Sequence, residues 1–262
     1  MTKLSVIIPV YNEEKQIIPV MEFIMESKFS IPREFIVIDD CSTDASLKIL
    51  ENLQAKYSFT LIKQPFNQGK GAAIIEGIKR ATGEIIVIQD ADFEYDHRDV
   101  NVLIDPIINN QADVVYGSRF KKSTAQVHRT YHYFVNRFLT MMSNLLSGVY
   151  LTDMETCYKV FKADLIKSMN LSSKRFGIEV EMTAYLAKTR ARIFELPISY
   201  FPRTVLQGKK INWKDGVAAL WHLFRFNKMV TLEQAFHELP SDYDPQTNIH
   251  SLKKPILVND KK

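Results

Sequence analysis

Gly83–Asp96 reads GEIIVIQDADFEYD, and the fold turns on it. Ile85, Ile86, Val87 and Ile88 are a β-branched apolar run, which predicts a strand buried on both faces in a parallel sheet covered by helices. Asp90, Asp92 and Glu94 stand where that strand stops. Open α/β sheets bind ligands outside the carboxyl ends of their strands, so these acids fall where a site belongs. Carboxylates with room for water suit Mg²⁺ or Mn²⁺ shared with a phosphate. A solvated Asp-x-Asp turn would look the same over so short a stretch.

The upstream sequence repeats the pattern. Leu4–Val10 predicts a strand that runs through Pro9 into Tyr11, Asn12, Glu13 and Glu14, followed by a helix from about Gln16 to Ser27 with Pro19 in its first turn. Phe35–Ile38 predicts a second strand, ending in Asp39, Asp40 and Cys41, and Ser42, Thr43 or Asp44 can cap the helix that runs to about Tyr57. Phe59–Ile62 is a third strand, and Asn67, Gly69 and Gly71 make a loop before a helix over Ala72–Ala81. This βαβαβαβ order predicts right-handed crossovers and an α/β fold with a Rossmann-like, mostly parallel sheet flanked by helices. Three strands end in acids, at Glu13, at Asp39 with Asp40, and at Asp90 with Asp92, and such grouping marks a site rather than solvated helix faces. Neither GxGxxG nor a P-loop is present, so phosphates must be held by metal and cationic side chains.

The 262 residues, 46% apolar, are enough for a sizeable core. Net charge is +4, too mild to argue for nucleic acid, though it suits anionic ligands or an anionic membrane. Cys41 and Cys157 have neither metal spacing nor a disulfide framework, which favours buried thiols in a reducing compartment. The N-terminus lacks the pattern of a secretory signal, and no run approaches the roughly 18 to 20 apolar residues of a spanning helix. Tyr133–Leu151 comes nearest, broken by Asn136, Arg137, Ser143, Asn144 and Ser147.

Farther on, Val114–Gly117 predicts a strand followed by Arg119, which can pair with phosphate oxygens or with one of the acids. His128–Val149 carries apolar residues at spacings of three and four, an amphipathic helix or a pair of them, whose aromatics, His128, Arg129, His132 and Arg137 also suit a membrane interface. Ile178–Ala187 predicts a helix with Glu179 and Glu181 near its start, where acids suit the dipole. Ile193–Ile198 is a strand, Arg203, Lys209 and Lys210 around Gly208 form a cationic loop, and Trp213–Phe226 is a last amphipathic helix. Residues 229–262 are polar, with Pro240, Pro245 and Pro255, and are expected as a loosely ordered tail.

SVIIPVYNEE, FIVIDDCSTD, NQGKGAAIIEGIKRATGE, QDADFEYD and YGSRF, in this order, resemble family 2 glycosyltransferases of the GT-A fold, particularly polyprenyl-phosphate sugar synthases. The resemblance spans about residues 4 to 227, implying a GT-A domain over 1–228 with a donor half (1–120) and an acceptor and membrane-facing half (121–228). It implies that Pro9, Tyr11, Glu13, Ile38 and Asp40 line a nucleoside pocket for a UDP- or GDP-sugar, and that Asp90, the main chain at Ala91, and Asp92 hold Mg²⁺ or Mn²⁺ with the donor diphosphate. Glu94 stands where the resembled enzymes carry Gln, adding charge to the metal shell, and His97 reads as loop surface. Cys41 stands where Gly or a small residue is common.

In TDMETCYKVF, Thr152–Phe161, Asp153 stands near the acceptor position of the family, as a base on a hydroxyl or a residue that orients a phosphate. Lys159 could hold the acceptor phosphate or pair with Asp153; Arg129 is a second acceptor candidate, and Arg119, Arg203 and Lys209 would stabilise the leaving diphosphate. The implied reaction is inverting transfer to a dolichyl or undecaprenyl phosphate by an enzyme peripheral to the cytoplasmic membrane face, anchored by its amphipathic helices or by a partner subunit. A soluble hydroxyl acceptor, or a non-catalytic membrane-surface module, are the alternatives.

Overall fold

A computed structural model describes residues 2–121, 130–175, 177–202 and 213–247, without the side chains of 130–132 and 213–217. β1 (Leu4–Val10) pairs in parallel with β2 (Arg33–Asp39) from Leu4 opposite Arg33 to Val10 opposite Asp39, and β2 pairs with β3 (Thr60–Lys63). On its other side β1 pairs with β4 (Ile85–Ile88), but only as far as Ile7 opposite Ile88. β1 therefore outruns β4. Ile7 O accepts the N–H of Gln89, and Pro9, two residues on, lies past the end of β4, where its missing N–H breaks no ladder.

The chain steps outward from β1 through β2 to β3, then returns to add β4 on the opposite side of β1. That reversal opens a crevice at the carboxyl ends of β1 and β4. All residues of β4 are buried, as the apolar run predicts. The full order is β3-β2-β1-β4-β6-β5-β7, with β5 at Val114–Ser118, β6 at Lys159–Lys162 and β7 at Ile193–Pro197. β6 lies between β4 and β5 and is antiparallel to both; the other pairings are parallel.

Helices α1 (Ile17–Glu26), α2 (Ser46–Leu53) and α3 (Lys70–Arg80) connect the first four strands. α3 begins under tight steric control. Gly69 has φ +100°, and a Cβ there would lie 2.5 Å from Lys174 O; one on Gly71 would lie 2.1 Å from Ser173 O. The glycines let the start of α3 meet the backbone of residues 173–175, where Ala72 N–H donates to Lys174 O. This contact joins the two halves of the molecule.

Between β4 and β5 lies α4 (Asp99–Ile108), which buries Val100, Leu103, Ile104 and Ile107 despite containing Pro106. α5 (Thr130–Ser147) ends before Gly148 in a left-handed conformation. α6 (Ala163–Ser168) follows β6, α7 (Ile178–Leu186) precedes β7, and α8 (Trp213–Phe224) runs into a π-helical turn at Arg225–Met229. The expected loose tail is packed as far as Thr247. α9 (Leu232–Ala235) carries a Thr231–Gln234 capping box, Phe236 and Tyr243 are buried, and Arg190 Nη1 donates to Thr247 O at 2.8 Å. Two separated aromatic anchors hold this polar stretch down, a pattern without periodicity to read. No helix among the described residues is long and apolar enough to cross a membrane.

Candidate active site

The loops after β1 and β2 are cross-tied. Asn12 N–H donates to Ser42 Oγ, Thr43 N–H to Asn12 Oδ1 and Glu13 N–H to Ser46 Oγ. Asn12 and Cys41 both adopt positive φ, 53° and 57°. Cys41 therefore occupies a backbone position that favours glycine, which accounts for a small residue there without any thiol chemistry.

Asp40 is buried and clamps the loop that leads into α3, accepting from Asn67 Nδ2 (2.9 Å), Gln68 N–H (2.8 Å) and Gly69 N–H (2.7 Å). Burial raises its pKa, against the pull of those N–H groups. Asp39 is fully buried, and its Oδ1 has no hydrogen-bond partner. An orphaned acceptor at a strand end is what a base N–H or ribose hydroxyl would satisfy. Tyr11, Glu13 and Pro9 lie half-buried around the same crevice. Ile38 does not line it with its side chain, which is fully buried beneath α3 against Gly77.

Asp90 and Asp92 stand at the end of β4 beside Ala91. Asp92 Oδ1 accepts the N–H of Glu94 at 2.8 Å, which fixes the turn. Asp90 Oδ1 lies 2.9 Å from Lys70 Nζ, and the same ammonium reaches Glu179 Oε1 at 3.5 Å. Burial disfavours the charge on Lys70, but Asp90 and Glu179 outweigh it and hold its pKa well above the ordinary value. Sequence reasoning gave Lys70 no role, although it lies inside the NQGKG motif. Glu94 is not gathered with the two aspartates. Its Oε2 accepts from the Tyr200 hydroxyl at 3.1 Å, and no three His, Cys, Asp or Glu side chains form a metal-holding group among the described residues.

Two of the candidate residues, Arg119 after β5 and Asp153 before β6, pair with each other. Arg119 Nε and Nη2 each lie 2.7 Å from the two oxygens of Asp153, and Arg119 N–H adds a third bond at 3.0 Å. Asp153 is fully buried and the guanidinium nearly so. Glu195 holds the backbone of this segment through Thr152 N–H and Asp153 N–H. Both carboxylate oxygens of Asp153 are thus engaged by Arg119. Lys159 pairs with neither Asp153 nor solvent: it is fully buried, donating to the carbonyls of Met154 and Thr156.

Glu181 is structural, as its place in the helix suggests, accepting from Ser172 N–H, Ser173 N–H and the Tyr185 hydroxyl. Glu179, read the same way, instead joins the site through Lys70. His97 is buried rather than on a loop surface, bonded to Ser27 Oγ and edge-on to Phe23, with its pKa pushed down to about 4 by burial. Both cysteines are free; burial, then the nearby Asp90 carboxylate, raise the pKa of the Cys157 thiol. Arg129, Arg203, Lys209 and Lys210 lie outside the described residues.

The structure thus gathers carboxylates at the ends of neighbouring parallel strands and, on the other side of β4, a buried Arg119–Asp153 pair. The model of glycosyl transferase family 2 matches residues 5–169. The chain belongs to that family. It is 28% identical over 216 residues to a dolichyl-phosphate beta-glucosyltransferase of Trichomonas vaginalis, a match covering 75% of this chain and 65%, just under two thirds, of that protein. It is 31% identical over 214 residues to a UDP-N-acetylglucosamine–dolichyl-phosphate N-acetylglucosaminyltransferase of Methanococcus voltae, covering 74% and 84%. The fold is GT-A-like: a glucosyl-3-phosphoglycerate synthase of Mycobacterium tuberculosis, solved with Mn²⁺, UDP and glucosyl-3-phosphoglycerate, superposes with a TM-score of 0.66 at 18% identity, covering 86% of this chain and 80% of that one.

Proposed function

We propose that the protein transfers a sugar, with inversion, from a UDP- or GDP-sugar to a polyprenyl phosphate at the cytoplasmic face of a membrane. The observation that carries this reading is the grouping of Asp39, Asp40, Asp90 and Asp92 at the switch point of the sheet, opposite an acceptor segment anchored by Arg119 and Asp153. The dolichyl-phosphate substrates in the relatives' names support the acceptor.

Asp90 and Asp92 suit Mg²⁺ or Mn²⁺: both are hard oxygen donors, and a pair of carboxylates leaves coordination positions for a diphosphate. Bound there, the cation would screen the charge of the leaving diphosphate. The chain's own residues do the rest. Asp39 Oδ1 and Asp40 would receive the nucleoside, Lys70 would steady Asp90, and the Arg119–Asp153 pair would keep the acceptor segment in place. Arg203 and Lys209 remain the proposed cations for the leaving group.

α5 and α8 support the membrane contact. Phe134, Leu145 and Tyr150 are 64%, 71% and 83% exposed, and Trp221 and Phe224 are exposed on the neighbouring α8. Monomeric surfaces rarely leave so much large apolar side chain in water. A groove of about 360 Å³ lined by Arg137, Met141, Leu145 and Tyr150 runs along this face. Arg137 Nη1 also donates to Thr152 O, linking the groove to the acceptor segment. Incubating the protein with Mn²⁺, a panel of UDP- and GDP-sugars, and farnesyl phosphate in liposomes tests the reading. A glycosylated lipid phosphate is expected; transfer only to water-soluble hydroxyls would replace it.

A further inference from the structure

Two carboxylates on the acceptor side are left without a full set of partners. Glu155, between Asp153 and Lys159, has Oε1 sealed from solvent with no hydrogen-bond partner. Glu179, in the first turn of α7 and 6% exposed, has Oε2 in the same state, while its Oε1 faces Lys70 and through it Asp90. Buried acceptors are rarely left unsatisfied, and each such oxygen has room for an O–H or N–H donated by a bound ligand or water. Asp153, the residue whose position suggests a base, is committed to Arg119.

Resting on the polyprenyl-phosphate reading, we propose that Glu155, backed by Glu179, accepts the remaining proton of the acceptor phosphate monoester so that the phosphate attacks as a dianion. The O–H bond of the phosphate breaks and its proton passes to the Glu155 carboxylate. The freed oxygen forms the bond to the anomeric carbon, and the bond from that carbon to the diphosphate breaks, its electron pair leaving with the nucleoside diphosphate. The proton returns to solvent once product departs.

The surroundings suit a base of this strength. Burial first, then the Glu179 carboxylate on α7, raise the pKa of Glu155; Lys159 on β6 and Arg119 after β5 oppose the rise, and Asp153 adds to it. Phosphate monoesters lose their second proton near pH 6, so donor and acceptor of the proton are matched, the condition under which general-base transfer is most effective.

The test is the pH profile of kcat/KM for transfer to farnesyl phosphate by wild type, Glu155→Gln and Glu179→Gln, with unfolding temperatures measured alongside. Glu155→Gln should be slower by about tenfold or more near pH 6.5, where part of Glu155 is ionised while part of the phosphate still carries its proton, and recover to within about threefold of wild type at pH 8, where the phosphate is already a dianion. Glu179→Gln should move the acid limb to lower pH by removing a like charge, and it carries the test if Glu155→Gln does not fold. A loss independent of pH, or a raised KM for the nucleotide sugar at unchanged kcat, overturns the proposal. Wild type that never glycosylates farnesyl phosphate overturns the function itself, a result visible without any variant.

Discussion

Lys70 Nζ sits 2.9 Å from Asp90 Oδ1, so the first residue of α3 places a cation on a carboxylate proposed to hold the metal. Two positive charges compete for one acid. Lys70→Met should therefore tighten Mn²⁺ binding by about tenfold, roughly 1.4 kcal/mol, while transfer falls because Asp90 and Glu179 lose their link. Titration with Mn²⁺ followed by electron paramagnetic resonance reads the first effect and an activity assay the second.

Arg119 and Asp153 make a nearly dry, two-pronged ion pair. Removing one partner strands a buried charge, so Arg119→Ala and Asp153→Ala should each cost about 3–5 kcal/mol, and the double variant less than their sum. Urea unfolding of the three variants measures this. If Asp153→Ala were as stable as wild type yet inactive, Asp153 would be a base after all.

Glu94 gives its carboxylate to Tyr200. Glu94→Gln should leave Mn²⁺ affinity within about twofold of wild type, since a Glu94 carboxylate held by the Tyr200 hydroxyl is weakly felt by a cation on Asp90 and Asp92 across a polar site. A large loss of affinity would return Glu94 to the metal.

Asp113 supplies the pH dependence of stability. Burial works against its ionisation, but Arg192 and Lys162 prevail and hold its pKa at about 2. Because the folded value is lowered, the stabilisation is complete above pH 4, the unfolded range, and is lost as pH falls toward 2. Asp113→Asn should lose about 2 kcal/mol at pH 7 and little at pH 2, as followed by urea unfolding at the two pH values.

The first four strands were legible because their signals are local. β1, β2 and β4 are apolar runs that end in acids, and Gly69 and Gly71 mark the close approach of α3 to residues 173–175. The chain from β5 onward depends on partners far apart in sequence. Nothing in KVFK says that β6 will insert antiparallel between β4 and β5, and nothing at Arg119 says that its acid is Asp153 rather than Asp90. Asn67-Gln-Gly-Lys70 did offer a signal. A lysine one residue past a positive-φ glycine opens a helix whose start faces the strand-end acids, which is how Lys70 reaches Asp90.

The most direct test is sugar transfer from a radiolabelled UDP- or GDP-sugar to farnesyl phosphate with Mn²⁺, comparing wild type with Asp92→Ala. Wild type should yield a glycosylated lipid phosphate. Asp92→Ala should fall by at least about 100-fold while its unfolding shifts by only about 1 kcal/mol, the worth of the turn bond to Glu94. Full activity in Asp92→Ala, or label passing only to a water-soluble hydroxyl acceptor, would contradict the account.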